Sequence, residues 1–102
     1  WEAVELNTEA RRLVYLSEGL GHGFVALQDN STVVYLCSTG YNPAGEHEVD
    51  PFDPEIGVDW GVSRDQASLS AKDALAPSLA AAKAGGLLPD FAACKTFRAG
   101  LS

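Results

Sequence analysis

Methionine is missing from this chain altogether, cysteine occurs only twice, and basic side chains are scarce. Each shortage excludes something. The longest apolar run, Val33-Val34-Tyr35-Leu36-Cys37, is the size of one strand. A bilayer-crossing helix needs roughly 18–20 apolar residues, and no signal-peptide pattern is present. The sequence is therefore read as cytoplasmic, with no membrane partner. Cys37 and Cys94 match no metal-ligand or redox spacing. Cys37 lies inside the apolar run, so a reduced, buried thiol is expected there. The chain opens on Trp1 within what reads as a strand, whereas a natural start is usually Met followed by a polar, frayed terminus. Trp1 is thus expected to be a cut end.

Seven Lys and Arg stand against 14 Asp and Glu, for a net charge of −7. The imbalance is concentrated in residues 1–50, which hold two basic and eight acidic side chains, against five and six in residues 51–102. A nucleic-acid partner demands a basic face and is excluded. A phosphorylated ligand would also find few cations.

What is present fits one small domain of 102 residues, 46% of them apolar. Residues 1–6 alternate in polarity and read as a strand. Residues 7–12 form a polar connection, possible as one helical turn opened by Asn7 or Thr8. Residues 13–16 and 24–28 carry aromatic and β-branched side chains and read as strands. Between them runs the glycine-rich loop Glu18-Gly19-Leu20-Gly21-His22-Gly23. Asp29-Asn30-Ser31 supplies a turn into residues 32–38, which are apolar on both faces and so expected to lie centrally. Residues 46–49 read as a short strand, and Pro51, Asp53-Pro54 and Gly57 mark an extended loop. Helical signals begin late: Ser70 with Asp73 three residues on suggests a capped start. Pro77 fits the first turn of a helix over residues 78–84, stopped by Gly85-Gly86. Residues 87–102 have no strong period and are expected to be loosely packed or helical. Short strands with Gly and Pro turns predict an all-β sandwich or barrel with short C-terminal helices.

Few residues point to chemistry. His22 sits between two glycines, where a ligand could approach closely; an exposed loop histidine is the plainer alternative. His47, between Glu46 and Glu48, reads as a surface residue. Tyr35 falls mid-strand, and a buried phenol needs a hydrogen-bond partner, which a neighbouring carbonyl ordinarily provides. Asp73 is explained locally as a carboxylate at a helix start. No Ser/His/Asp or Cys/His arrangement appears, nor a phosphate-cradling glycine loop. The histidines and carboxylates form no metal-ligand spacing, so no metal is expected.

Three segments taken together change the weights. They are Leu16-Ser17-Glu18-Gly19-Leu20-Gly21-His22-Gly23-Phe24; Val34-Tyr35-Leu36-Cys37-Ser38 with Tyr41-Asn42-Pro43 and Glu46-His47; and Asp53-Pro54-Glu55-Ile56-Gly57-Val58-Asp59-Trp60 with Leu69-Ser70-Ala71-Lys72-Asp73. In order and spacing they resemble the C-terminal half of the dTDP-4-dehydrorhamnose 3,5-epimerase family, over roughly residues 1–90. The resemblance implies a partial cupin-type jelly roll: residues 1–66 from its C-terminal part, 67–90 a helical appendix, and 91–102 a tail. It also implies a cofactor-independent epimerase acting on a dTDP-linked 4-keto-6-deoxy sugar, with a homodimer as the complete protein. Tyr35 matches the family's catalytic acid, and Asp73 the carboxylate that holds its catalytic histidine. His22, Glu46 and Lys72 match substrate contacts, and Tyr41 a residue that stacks on the nucleotide base.

Two departures accompany the match. The family's base lies in an Arg-Gly-x-His strand upstream, which has no counterpart here, and Gly61 stands where the family usually has Pro. The isolated chain is accordingly expected to be an inactive fragment. A non-catalytic sugar-nucleotide-binding or structural module, an epimerase acting at C3 or C5 only, and a generic β-rich interaction domain remain open readings.

Overall fold

The computed structural model describes residues 1–101. Its elements are a 3-10 turn, Pro43–Gly45, and three helices: α1 (Ala71–Ala74), α2 (Leu79–Ala84) and α3 (Phe91–Ala99). Among the described residues none belongs to a β-ladder. The expected all-β jelly roll is therefore overturned. The runs read as strands, residues 1–6, 13–16, 24–28, 32–38 and 46–49, are irregular. Most of their apolar side chains face solvent, with Leu13 99% and Leu36 98% exposed. The physical reason lies in what a strand needs. Its backbone donors and acceptors are satisfied by a second strand, and β propensity measures fit to a pleated, half-covered surface. Alternation shows which residues could enter a sheet, and it supplies no partner. Two smaller expectations fall with it: Tyr35 is 75% exposed and Cys37 is an exposed thiol.

The helices follow the local signals. Ser70 caps α1 from extended backbone, its Oγ accepting from the Asp73 N–H at 3.1 Å. Pro77 lies three residues beyond α1 and disfavours helical geometry at Ala76. Ser78 caps α2 in the same way, accepting from Ala81 N–H at 3.1 Å. Pro77 thus precedes the cap instead of occupying the first turn. Gly86 takes φ +68° after α2, and its N–H donates to Lys83 O while Leu87 N–H donates to Ala82 O. That pair of bonds is a Schellman closure, which requires a left-handed residue at this point. The tail contains α3, capped by Asp90, whose Oδ1 accepts from Ala93 N–H at 3.0 Å.

Two compact units result. One joins Trp1–His22 to the tail from Leu88 onward; the other is Gly23–Leu87. In the first, α3 packs on the turn at Gly19 (φ +88°), where an added Cβ would lie 3.0 Å from Cys94 Cβ and 3.1 Å from Phe91 Cδ2. Arg98 Nη1 donates to Ser17 Oγ at 3.2 Å, and Asn7 Oδ1 accepts from Ala10 N–H at 2.7 Å in the turn that follows residue 7.

The second unit is organised by a carboxylate. Asp53 is 4% exposed. Its Oδ1 accepts from the N–H groups of Glu55 (2.8 Å) and Ile56 (3.3 Å), and its Oδ2 from Leu79 N–H at 2.9 Å. Asp50 N–H donates to Pro77 O at 2.8 Å. These bonds tie the loop 50–57 to the start of α2. Trp60 Nε1 donates to Pro51 O at 2.7 Å, and its ring lies 6.5 Å from Phe52 at 51°. Arg64 pairs with Asp50 and sits 5.4 Å over the Phe52 ring. Among the described residues the one buried apolar side chain is Ala82, so a polar clamp with an aromatic cover stands in for a larger core.

The Leu79 amide bond, first among several backbone hydrogen bonds, holds the Asp53 carboxyl below its ordinary 3.8. A depressed folded-state pKa contributes stability that is complete above the unfolded value and lost as pH falls through the folded one. Asp53→Asn keeps an oxygen for Glu55 and Ile56 but turns an N–H donor toward Leu79 N–H. The expected result is roughly tenfold faster hydrogen exchange at the Leu79 amide. Unfolding on acidification below pH 3.8 should also flatten. Unchanged exchange at Leu79, read by NMR, would contradict the clamp.

Candidate functional site

The second unit gathers one basic side chain among acidic and aromatic ones. Lys72 lies on α1, and its Nζ forms an ion pair with Glu48 Oε1. The lysine is 58% exposed and the glutamate 31%. The Lys72 ammonium is held above its ordinary 10.5, first by the hydrogen bond to Glu48 and then by the charges of Glu48, Tyr41 and Glu46. Desolvation works the other way and is outweighed. Tyr41 immediately precedes Asn42, the residue that enters the 3-10 turn, and Glu46 leaves it. The tight turn lies between Tyr41 and Glu46, both of whose charges act on Lys72.

Asp73 is next to Lys72 on α1. Its Oδ2 accepts from the Ser70 hydroxyl at 2.7 Å while its N–H donates back to Ser70 Oγ. The carboxylate is thereby fixed in orientation by its own helix start. Tyr35 belongs to the same unit but stands on an exposed, irregular stretch. Among the described residues no hydrogen bond joins it to Asp73 or Lys72. His22 falls in the other unit, and His47 is a surface residue. The structure thus pairs Lys72 with Glu48, lets the charges of Tyr41 and Glu46 act on it, and holds Asp73 next to it on α1; Tyr35 lies in the same unit and His22 in the other.

Two participants escaped the sequence reading. No local spacing links Glu48 to Lys72. Asp53 opens the Asp53-Pro54-Glu55 segment, to which the resemblance gives no role. An aspartate followed by Pro and, four residues on, by Gly is a turn signature and could have singled it out. Among the described residues no group of three His, Cys, Asp or Glu side chains is placed to hold a metal ion. No described helix is long and apolar enough to cross a membrane. Chemically, the cluster offers an ammonium for an anionic group, a phenol face for stacking, and carboxylates able to accept hydroxyl or amide protons.

The known proteins that this chain resembles are named as epimerases of dTDP-linked dehydrodeoxysugars. The model of the family described as dTDP-4-dehydrorhamnose 3,5-epimerase matches residues 1–81. A protein of that name from Mycobacterium tuberculosis (strain CDC 1551 / Oshkosh) is 54% identical over 90 residues, covering 87% of this chain and 45% of the relative. The one from Mycolicibacterium smegmatis is 52% identical over 97 residues, covering 95% of this chain and 47% of the relative. A dTDP-4-dehydrorhamnose 3-epimerase from Streptomyces niveus is 48% identical over 95 residues, covering 93% and 45%. No solved structure gives a significant match. The chain belongs to the dTDP-4-dehydrorhamnose 3,5-epimerase family, and it spans about half the length of the curated relatives it matches.

The raised Lys72 pKa has a checkable sign. Such a group contributes stability that is complete below its unfolded value of 10.5 and lost as pH rises through the folded one. In Glu48→Gln the Lys72 ammonium should titrate nearer 10.5, and alkaline destabilisation should shrink. An Nζ titration by NMR that shows no downward move would show that Glu48 is not the cause.

Proposed function

We propose that this chain carries part of the active site of a dTDP-4-dehydrorhamnose 3,5-epimerase. The observation that carries the reading is the 54% identity over 90 residues with a protein of that name. The substrate is a dTDP-linked 4-keto-6-deoxy sugar, whose C4 ketone acidifies the protons on C3 and C5. A base removes one such proton, the ketone oxygen takes up the negative charge as an enolate, and an acid returns a proton to the opposite face of the same carbon. Tyr35 is the acid in this reading, its hydroxyl proton passing to carbon and being replaced from water. Its exposure leaves the phenol open to a substrate. Asp73 orients the catalytic histidine, consistent with a carboxylate already fixed by Ser70. That histidine comes from the part of the family's length that this chain does not match. Lys72 meets a phosphate, Tyr41 stacks on the base, and His22 and Glu46 contact the sugar nucleotide. No cofactor takes part. The complete protein acts as a homodimer in the cytoplasm, a compartment in which the free thiols Cys37 and Cys94 would stay reduced.

A second reading has its own support. The Streptomyces niveus relative is named a 3-epimerase, so inversion at C3 alone is the alternative outcome.

The test joins this chain to the preceding half of the Mycobacterium tuberculosis relative and follows substrate in deuterated water by NMR. Deuterium at both C3 and C5 is expected; deuterium at C3 alone selects the second reading. Tyr35→Phe in the same chimera should slow incorporation by roughly 10²–10⁴-fold, the share usually supplied by a general acid. Incorporation at the unaltered rate would remove Tyr35 from the mechanism. No incorporation into any carbon would favour a non-catalytic sugar-nucleotide-binding module.

A further inference from the structure

Lys72, the cation assigned above to a ligand phosphate, is already engaged. Its ammonium is paired with Glu48, and both partners are attached to an anchored backbone. Two residues after Glu48, Asp50 N–H donates to Pro77 O at 2.8 Å. The segment running from α1 into α2 is held a second time where Leu79 N–H donates to Asp53 Oδ2 at 2.9 Å. Most exposed ion pairs contribute little, because two long side chains must be ordered from freely moving supports. Here the supports are tied to each other, and only the side chains remain to be ordered.

Within residues 23–87 few other cations are available to a phosphate. Residues 23–87 hold three basic side chains, Arg64, Lys72 and Lys83. Arg64 is taken by Asp50 and lies over Phe52. Lys83 lies in the last turn of α2. Beside Lys72 stand Glu48 and the charge of Glu46. One ammonium cannot neutralise a carboxylate and a diphosphate together. An entering diphosphate must displace Glu48 or bind against its repulsion.

We infer that Glu48 is a gate on Lys72: the ion pair is the ligand-free state of the site, and a nucleoside diphosphate binds by displacing the Glu48 carboxylate from the Lys72 ammonium. This rests on the reading of Lys72 as a phosphate contact. It adds to that reading a residue that opposes the ligand and so lowers affinity for any anion the site can meet.

The experiment measures dTDP binding by calorimetry to the chain and to four variants. Glu48→Gln should bind dTDP roughly two- to fivefold more tightly, the range expected from releasing one exposed ion pair. Lys72→Gln should bind more weakly, and adding Glu48→Gln to it should bring no gain, as a double-mutant cycle for a direct pair requires. Glu55→Gln, which removes an exposed charge of the same unit, should leave binding unchanged. Should Glu48→Gln not fold, Glu48→Ala takes its place, with the Leu79 amide shift as the check on the clamp. Weaker or equal binding by the Glu48 variant, with Lys72→Gln still harmful, overturns the gate and leaves the phosphate contact standing. An equal gain in Glu55→Gln overturns it as well, since net charge would then be the cause. Unchanged binding in Lys72→Gln removes the phosphate contact itself, and the gate with it.

Discussion

The second unit depends on the bond between the Asp53 carboxylate and the Leu79 amide. Asp53 accepts from three backbone N–H groups, two local and one from the start of α2, so its burial costs little despite its charge. A helix start presents unpaired N–H groups, and a carboxylate is the group best suited to take one. Asparagine has the shape but places a donor where an acceptor is needed. Around this point Asp50, Phe52, Trp60 and Arg64 close a layer of hydrogen bonds, ring contacts and a cation over an aromatic face. With Ala82 the one buried apolar side chain among the described residues, directional polar bonds order this part of the chain where area burial does not.

The same clamp explains how the candidate site is held. Glu48 and Lys72 sit on either side of it, one shortly before the loop 50–57 and the other on α1, just before the connection into α2. Their pairing is a consequence of the loop being fixed to the helix start. Of the residues whose charges act on Lys72, Tyr41 and Glu46 are ones that the epimerase resemblance marks out, and Glu48 is not. The chain is strongly acidic, and one of its few basic residues is held in place by an acidic one.

The legible part of the fold is its helices. Ser70, Ser78 and Asp90 each cap from a position three residues before the amide they bind, and the Gly85-Gly86 stop lies within one turn of the carbonyls it closes. Such signals are complete within a few residues. The strand readings failed for the opposite reason. Residues 13–16 and 32–38 have the composition of strands, but a ladder requires a second segment in register, and no alternation within one segment specifies it. Tyr35 illustrates the consequence: an apolar neighbourhood in sequence suggested a buried phenol, and without a sheet to cover it the side chain is exposed.

By itself the sequence determined the capped start of α1, the stop after α2, the acidic balance, and the family, through motifs whose order and spacing survive without coordinates. It also marked Tyr35, Tyr41, Glu46, Lys72, Asp73 and His22 as the residues to watch. Tertiary structure alone decided that Lys72 is paired with Glu48, that Asp53 binds an amide 26 residues away, and that His22 falls in a different unit from the rest. The division follows from range. Capping and turn chemistry are settled by neighbours along the chain, whereas an ion pair or a long-range hydrogen bond depends on where the intervening residues carry its two ends.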